Sequence, residues 1–136
     1  DGDTLSFASL RGQPVFLEFW ASWCVPCRIE AETLERVWNQ YKNRGITFVG
    51  VNVWDSDNGA RDFIQDFGTT YPMGSDPKGE IAVEYGVTGI PEKYFIDSKG
   101  RIERKYLGPI NETRLIAILD EMLDEGPEKL EGSESQ

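Results

Sequence analysis

Cys24 and Cys27 are the only cysteines in the chain, and they stand three positions apart in Trp23-Cys24-Val25-Pro26-Cys27. Residues at i and i+3 of a helical turn share a face, close enough for two sulfurs to join. At the first turn of a helix, unpaired N–H groups and the helix dipole favour a thiolate. Cys24 is predicted to hold that place, its pKa lowered from about 8.5 toward about 7, worth about 2 kcal/mol to the charged form. Pro26 suits a first turn, because a proline there forfeits only an N–H that had no intrahelical partner. Cys24 is then the accessible nucleophile, and Cys27, one turn deeper, the resolving thiol of a disulfide exchange. A structural staple is the competing reading. So small a loop would gain only about 2 kcal/mol from it, and a staple has no need of a helix N-terminus flanked by Trp23.

Composition narrows the chemistry further. The chain has 136 residues, one domain by length, and is 39% hydrophobic, enough to bury a core without metal. It contains no His, which removes Cys–His and Ser–His nucleophile pairs, mixed Cys/His zinc sites and His-ligated haem. Two cysteines alone do not close a tetrahedral zinc site. Arg28 follows Cys27 where haem attachment requires a His. Net charge is −10, which argues against nucleic acid and anionic membrane as partners. Residues 120–136 carry seven acids and one Lys, −6 of that −10, so the rest of the domain has an ordinary charge. No apolar run approaches the roughly 18 residues that cross a bilayer. The chain starts at Asp1 without an initiating Met, which leaves room for an upstream signal or anchor.

The elements that must position the cysteines follow from pattern. Leu5 and Phe7 alternate with polar residues, and Arg11-Gly12-Gln13-Pro14 reads as a turn. Val15 to Trp20 is a near-continuous apolar run, the mark of a strand buried on both faces. A helix is predicted from about Cys24 to Arg44, with Leu34, Val37, Trp38 and Tyr41 as its apolar stripe and Gly45 at its left-handed end. Ile46 to Val53 reads as a second strand, Asn58 to Phe67 as a helix ended by Gly68, and Glu80 to Tyr85 as a short helix ended by Gly86. Lys93–Ile96 and Arg101–Leu107 form a hairpin across Asp97-Ser98-Lys99-Gly100. Asn111 caps a last helix that Gly126-Pro127 stops. The redox domain is expected over residues 1–126, with 127–136 an acidic, disordered tail. The order gives an α/β domain: a central mixed β-sheet with helices on both faces. The cysteines sit where the first strand hands over to the first long helix.

Glu18 stands in the middle of that first strand, where a carboxylate is costly unless it has a partner or a task. It either reaches the sheet edge or works from inside. Trp20 is predicted to be mostly core and Trp23 to flank the nucleophile.

The run from Phe19 to Arg28, FWASWCVPCR, together with Gly86-Val87-Thr88-Gly89-Ile90-Pro91, resembles the thioredoxin superfamily. The spacing between the two motifs, and the strand/helix insert before the proline, resemble its extracytoplasmic branch, the TlpA/ResA/CcmG group of cytochrome c maturation. The likeness covers residues 3–125. It implies a thioredoxin fold, reduction of disulfides in secreted partners, and electrons delivered by a membrane thiol reductant.

The resemblance also assigns residues. Ile90-Pro91 matches the family's cis-proline, which faces the disulfide while the backbone before it pairs with substrate as an added strand. Trp23, Val25, Pro26, Ile90 and Glu92 are therefore expected on the substrate-binding side. Glu18 matches the buried acid that takes the proton of the resolving thiol, although the extracytoplasmic branch often lacks it. Asp55 falls where that branch often has an acid near the active site; a loop acid that starts the next helix is the alternative. Glu92 matches a Glu of the cytochrome-maturation members, or is a solvated residue at a strand start. The family's helix-kinking proline is replaced by Glu32, so a smooth first helix is expected.

The expected activity is reduction of protein disulfides outside the cytoplasm, by a monomer without cofactor or metal. Apocytochrome c and a copper-site precursor of an oxidase both fit as substrates. Val25-Pro26 lacks the His that stabilises the thiolate of strong oxidants, which points to a reductant. A cytosolic thioredoxin, and a binding module that grips chains at Pro91 without turnover, are the rival readings.

Overall fold

The structure, a computed structural model, describes residues 12–124. Leu5, Phe7, the Gly126-Pro127 stop and the acidic tail lie outside the described residues. Nine elements follow in order: β1 (Val15–Trp20), α1 (Val25–Tyr41), β2 (Thr47–Val53), α2 (Asp57–Phe67), β3 (Met73–Asp76), α3 (Glu80–Tyr85), β4 (Glu92–Ile96), β5 (Ile102–Leu107) and α4 (Glu112–Asp124). They build one mixed sheet in the order β3-β2-β1-β4-β5. β1 runs parallel to β2 and antiparallel to β4; β2 and β3 are parallel, and β4 and β5 form the expected hairpin.

β1 is central and wholly buried, which is why its sequence is apolar on both faces rather than alternating. Phe16 packs with Leu34, Val37 and Tyr41 of α1 and with Leu115, Ile118, Leu119 and Met122 of α4. On the other face Leu17 and Phe19 join Val49, Val51, Tyr94 and Ala82 of α3. Trp20 forms a third cluster with both cysteines, Ala31, and Phe63 of α2. Helices thus cover both faces of the sheet, as expected.

Three details differ from the sequence reading. α1 stops at Tyr41, and Gly45, though left-handed at φ 94°, closes the following turn rather than the helix itself. Lys42 keeps the helical backbone, and its N–H donates to the Trp38 carbonyl. α2 starts one residue early, with Ser56 as its N-cap. The periodicity did not locate β3: Met73-Gly74-Ser75-Asp76 has no β-branched residue and no alternation, and owes its strand to pairing with β2. Gly50 permits that approach, since a Cβ there would meet Met73 Sδ at 2.5 Å and Trp20 Nε1 at 3.0 Å. α1 is continuous through Glu32.

Candidate active site

Beyond β1 the backbone turns at once, with Cys24 N–H donating to the Ala21 carbonyl across 3.2 Å. Cys24 is the N-cap of α1, its backbone extended at φ −83° and ψ 112°, and Pro26 lies in the first turn. Cys24 Sγ accepts the Cys27 N–H at 3.2 Å, so the sulfur occupies the place where a helix end favours negative charge. Cys24 and Cys27 are joined in a disulfide, their Cα atoms 5.2 Å apart.

The expected exposure of Cys24 requires correction. In the disulfide form Cys24 is 4% and Cys27 2% exposed, whereas Trp23, Val25 and Ile29 are 59%, 64% and 74% exposed. Both cysteines face inward onto Trp20, Ala31 and Phe63. What distinguishes Cys24 from Cys27 is its cap position.

The turn before Cys24 is held by Asp55. Its Oδ2 accepts from Ser22 N at 2.6 Å and from Asn52 Nδ2 at 2.9 Å; its Oδ1 accepts from Ser22 Oγ at 2.9 Å and Ser56 N at 2.8 Å. Burial pushes this carboxyl up, but the donors of Asn52, Ser22 and Ser56 together outweigh burial and hold it below the usual carboxylate range. A carboxylate so held is a poor proton carrier near neutral pH, and the geometry favours a positioning role over the acid–base one. Nor does it cap α2, since Ser56 Oγ takes the Gly59 N–H. Trp54, left-handed at φ 54°, turns its carbonyl to accept from Trp23 Nε1 at 2.8 Å. Arg28 Nη1 donates to the Ser22 carbonyl at 3.1 Å, and its guanidinium lies 5.1 Å from the Phe67 ring centroid.

The second motif approaches from β4. The Ile90–Pro91 peptide is cis, Pro91 is buried, and Ile90 packs on the cluster that contains the cysteines. Glu92 is only 2% exposed, so it is not a solvated strand start. Its Oε2 accepts from Thr88 N at 2.9 Å, Thr88 Oγ1 at 3.2 Å and Gly89 N at 3.2 Å, and its Oε1 from Tyr94 Oη at 2.8 Å. Burial raises this carboxyl, yet the Thr88, Tyr94 and Gly89 donors and the Lys105 charge bring it below its ordinary value. The carboxylate shapes the loop before Pro91 and is buried there, whereas Ile90 in that loop is half-buried.

Glu18 does not reach the sheet edge. It is 2% exposed and stands directly across the ladder from Lys93, which is 0% exposed. Lys93 Nζ lies 3.1 Å from Glu18 Oε2 and 2.9 Å from Glu30 Oε2. The ammonium hydrogen-bonds Glu30 and the Gly108 carbonyl, while Glu18 Oε2 makes a charge contact without hydrogen-bond alignment. Glu30 Oε1 accepts the Ile110 N–H at 3.0 Å. Burial, then the charge and hydrogen bond of Glu18, push Glu30 up to about 10 against the opposing pull of Lys93. Glu30 thus keeps its proton at neutral pH.

Glu30 and Lys93 were missed from sequence, and both left a signal. Glu30 lies on the stripe that runs from Cys27 through Leu34 to Tyr41, an acid where only apolar residues belong. Lys93 opens the apolar run Tyr94-Phe95-Ile96 and is as buried as its neighbours. Ser22, the partner of Asp55, left none.

Comparison with known proteins adds the family. The AhpC/TSA family model matches residues 1–105. A thiol:disulfide interchange protein DsbE of Pseudomonas fluorescens is 37% identical, with 80% of this chain and 60% of that protein aligned. A thiol-disulfide oxidoreductase ResA of Oceanobacillus iheyensis is 31% identical over 90% of this chain and 64% of its own length. The chain thus spans less than two thirds of these relatives. A solved thiol:disulfide interchange protein of the thioredoxin family from Chlorobium tepidum superposes with a TM-score of 0.80 at 30% identity, covering 88% of this chain and 86% of that one. At that similarity the two share one fold, a thioredoxin-like one.

Proposed function

This chain belongs to the AhpC/TSA family, and from that premise we propose that it is a thiol–disulfide oxidoreductase that reduces disulfides of extracytoplasmic proteins. The observation that carries the reading is the Cys24–Cys27 disulfide set on a helix N-terminus, with Cys24 Sγ accepting the Cys27 N–H.

In the reduced protein the Cys24 thiolate attacks one sulfur of a substrate disulfide. A Cys24–substrate bond forms, the substrate S–S bond breaks, and one substrate thiolate leaves. Cys27 then loses its proton and attacks Cys24 Sγ. The 24–27 disulfide forms, the mixed disulfide breaks, and the second substrate thiolate leaves and is protonated. Two electrons pass to the substrate. The substrate strand lies along Ile90 and over Trp23, Val25 and Pro26, in a position set by Glu92 on one side and Asp55 on the other. The resemblance to the TlpA/ResA/CcmG group supports apocytochrome c or an oxidase copper-site precursor as substrate and a membrane thiol reductant as donor. Among the described residues no helix is long and apolar enough to cross a membrane.

Insulin reduction with dithiothreitol as donor tests turnover, and titration against a dithiothreitol or glutathione buffer tests direction. Catalysed insulin reduction and a potential around −270 mV, near thioredoxin, are expected. A potential above about −180 mV would overturn the reductant assignment.

A further inference from the structure

The first turn of α2 lies against the loop that leads into Cys24. Phe63 of α2 is buried with Trp20 and both cysteines, and Ala60, Ile64 and Phe67 pack at the rim of that cluster. Gly59 precedes Phe63 by one helical turn on the same face. A Cβ on Gly59 would stand 2.6 Å from Ser22 Oγ and 3.0 Å from both Asp55 Oδ1 and Ser56 Oγ. Ordinary contact begins near 3.4 Å, so the Ser22 oxygen would have to retreat by roughly 0.8 Å. The Gly59 backbone is helical, so a side chain would meet no backbone strain there. Helix propensity alone favours alanine over glycine at such a position. What calls for glycine is the missing space.

Each of those three oxygens is engaged. Ser56 Oγ accepts the Gly59 N–H at 3.0 Å. Ser22 Oγ donates to Asp55 Oδ1, which also takes the Ser56 N–H. Ser22 Oγ can make room only by turning away from Asp55. Ser22 is moreover held at every polar atom it has: its N–H and hydroxyl by Asp55, and its carbonyl by Arg28 Nη1. The Arg28 guanidinium in turn lies over the Phe63 and Phe67 rings of α2, at 5.8 and 5.1 Å. Ser22 stands two positions before Cys24, inside the turn that the Cys24 N–H closes on the Ala21 carbonyl. A shift at Ser22 is therefore a shift of the turn that presents Cys24.

We propose that Gly59 is a positioning residue for the first exchange step: its bare α-carbon lets α2 seat on Ser22 and Asp55, and Ser22 so held fixes the turn from which Cys24 attacks. This rests on the disulfide-exchange reading above. Gly59 takes no part in moving protons or electrons, which stay with the cysteines and the substrate disulfide. Its effect falls on the placement of Cys24, not on the charge of its sulfur, because the hydrogen bond to Cys24 Sγ comes from Cys27 N–H within α1 itself.

The test follows the reaction of the reduced protein with dithionitrobenzoate by stopped flow across a range of pH. Cys24 attack breaks the reagent's S–S bond and releases one thionitrobenzoate. Cys27 attack on Cys24 Sγ then releases the second and closes the disulfide. Failure of insulin reduction would count against the proposed function and leave this readout intact. Gly59→Ala is expected to slow the first release about tenfold, as displacement of a reacting group by a fraction of an ångström does. The pH midpoint of that release should stay in place. Ser22→Ala removes the oxygen that the new methyl would meet. It slows the first release by itself, through the lost Asp55 hydrogen bond, but in that background Gly59→Ala should cost less than about twofold. An equal cost in both backgrounds would place the effect elsewhere in α2 and overturn the proposal. So would a first release unchanged in Gly59→Ala, or a midpoint that moves. If Gly59→Ala does not fold, the double variant decides: folded and attacking at the Ser22→Ala rate it upholds the proposal, and unfolded it overturns it.

Discussion

Replacing Asp55 with Ala removes the acceptor for four donors at once. Their fates differ. Ser56 is exposed, so its N–H finds water, and the Ser22 hydroxyl reorients. Asn52 Nδ2 is buried, with Asn52 only 6% exposed, and Ser22 N is half-buried; these two are left without partners. An orphaned buried donor costs about 1–3 kcal/mol. Taking about 2 kcal/mol for Asn52 and about 1 kcal/mol for Ser22 gives about 3 kcal/mol, or roughly 10 °C in Tm for a chain of this size. Urea unfolding of the parent, Asp55→Ala and Asn52→Ala/Asp55→Ala measures it. The double variant removes the worst orphan together with its acceptor and is expected to recover about 1 kcal/mol. Activity supplies a second readout. With Ser22 loose, Cys24 attack should slow several-fold at every pH, and the pH profile should keep its shape. A stability loss below about 1 kcal/mol would refute the clamp. A changed profile with unchanged stability would instead make Asp55 the acid–base group.

Two further outcomes follow from the same geometry. The Glu92 carboxyl titrates below its ordinary 4.5 in the folded protein, so its share of the stability is present above about pH 4.5 and is lost as pH falls through the lower, folded value. Unfolding free energy of the parent should therefore drop between pH 5 and pH 3, and Glu92→Gln should flatten that drop; equal slopes in both proteins would contradict the hydrogen-bonded carboxylate. Trp23 is 59% exposed and donates a surface hydrogen bond to the Trp54 carbonyl. Trp23→Ala is expected to cost under about 1 kcal/mol of stability while raising KM for insulin several-fold, and an unchanged KM would remove Trp23 from the substrate face.

Much of this arrangement was legible in the amino-acid sequence because it rests on local rules. The buried β1 run, the helix following the cysteines, the glycine-ended α2 and α3 and the β4–β5 hairpin all announce themselves through periodicity and turn residues. The CxxC spacing with Pro26 at a first turn pointed to disulfide exchange before any packing was known. What escaped depends on tertiary neighbours. β3 is a strand only because β2 offers it an edge. Glu92 looks like a polar residue at a strand start until Thr88, Gly89 and Tyr94 fold around it. Glu18 was visible as an anomaly, but its partners come from α1 and from the opposite strand, 12 and 75 positions away along the chain. The burial of Cys24 likewise comes from Phe63 and Trp20, which its own motif does not contain.

The division of labour between the cysteines can be read directly by mass spectrometry after exposure of single-cysteine variants to an oxidised peptide. Cys27→Ser lacks the resolving thiol and is expected to accumulate a mixed disulfide with the peptide through Cys24. Cys24→Ser, left with the thiol one turn inside α1, is expected to accumulate none. Trapping through Cys27 with none through Cys24 would reverse the roles, and no adduct in either variant would contradict disulfide exchange at this site.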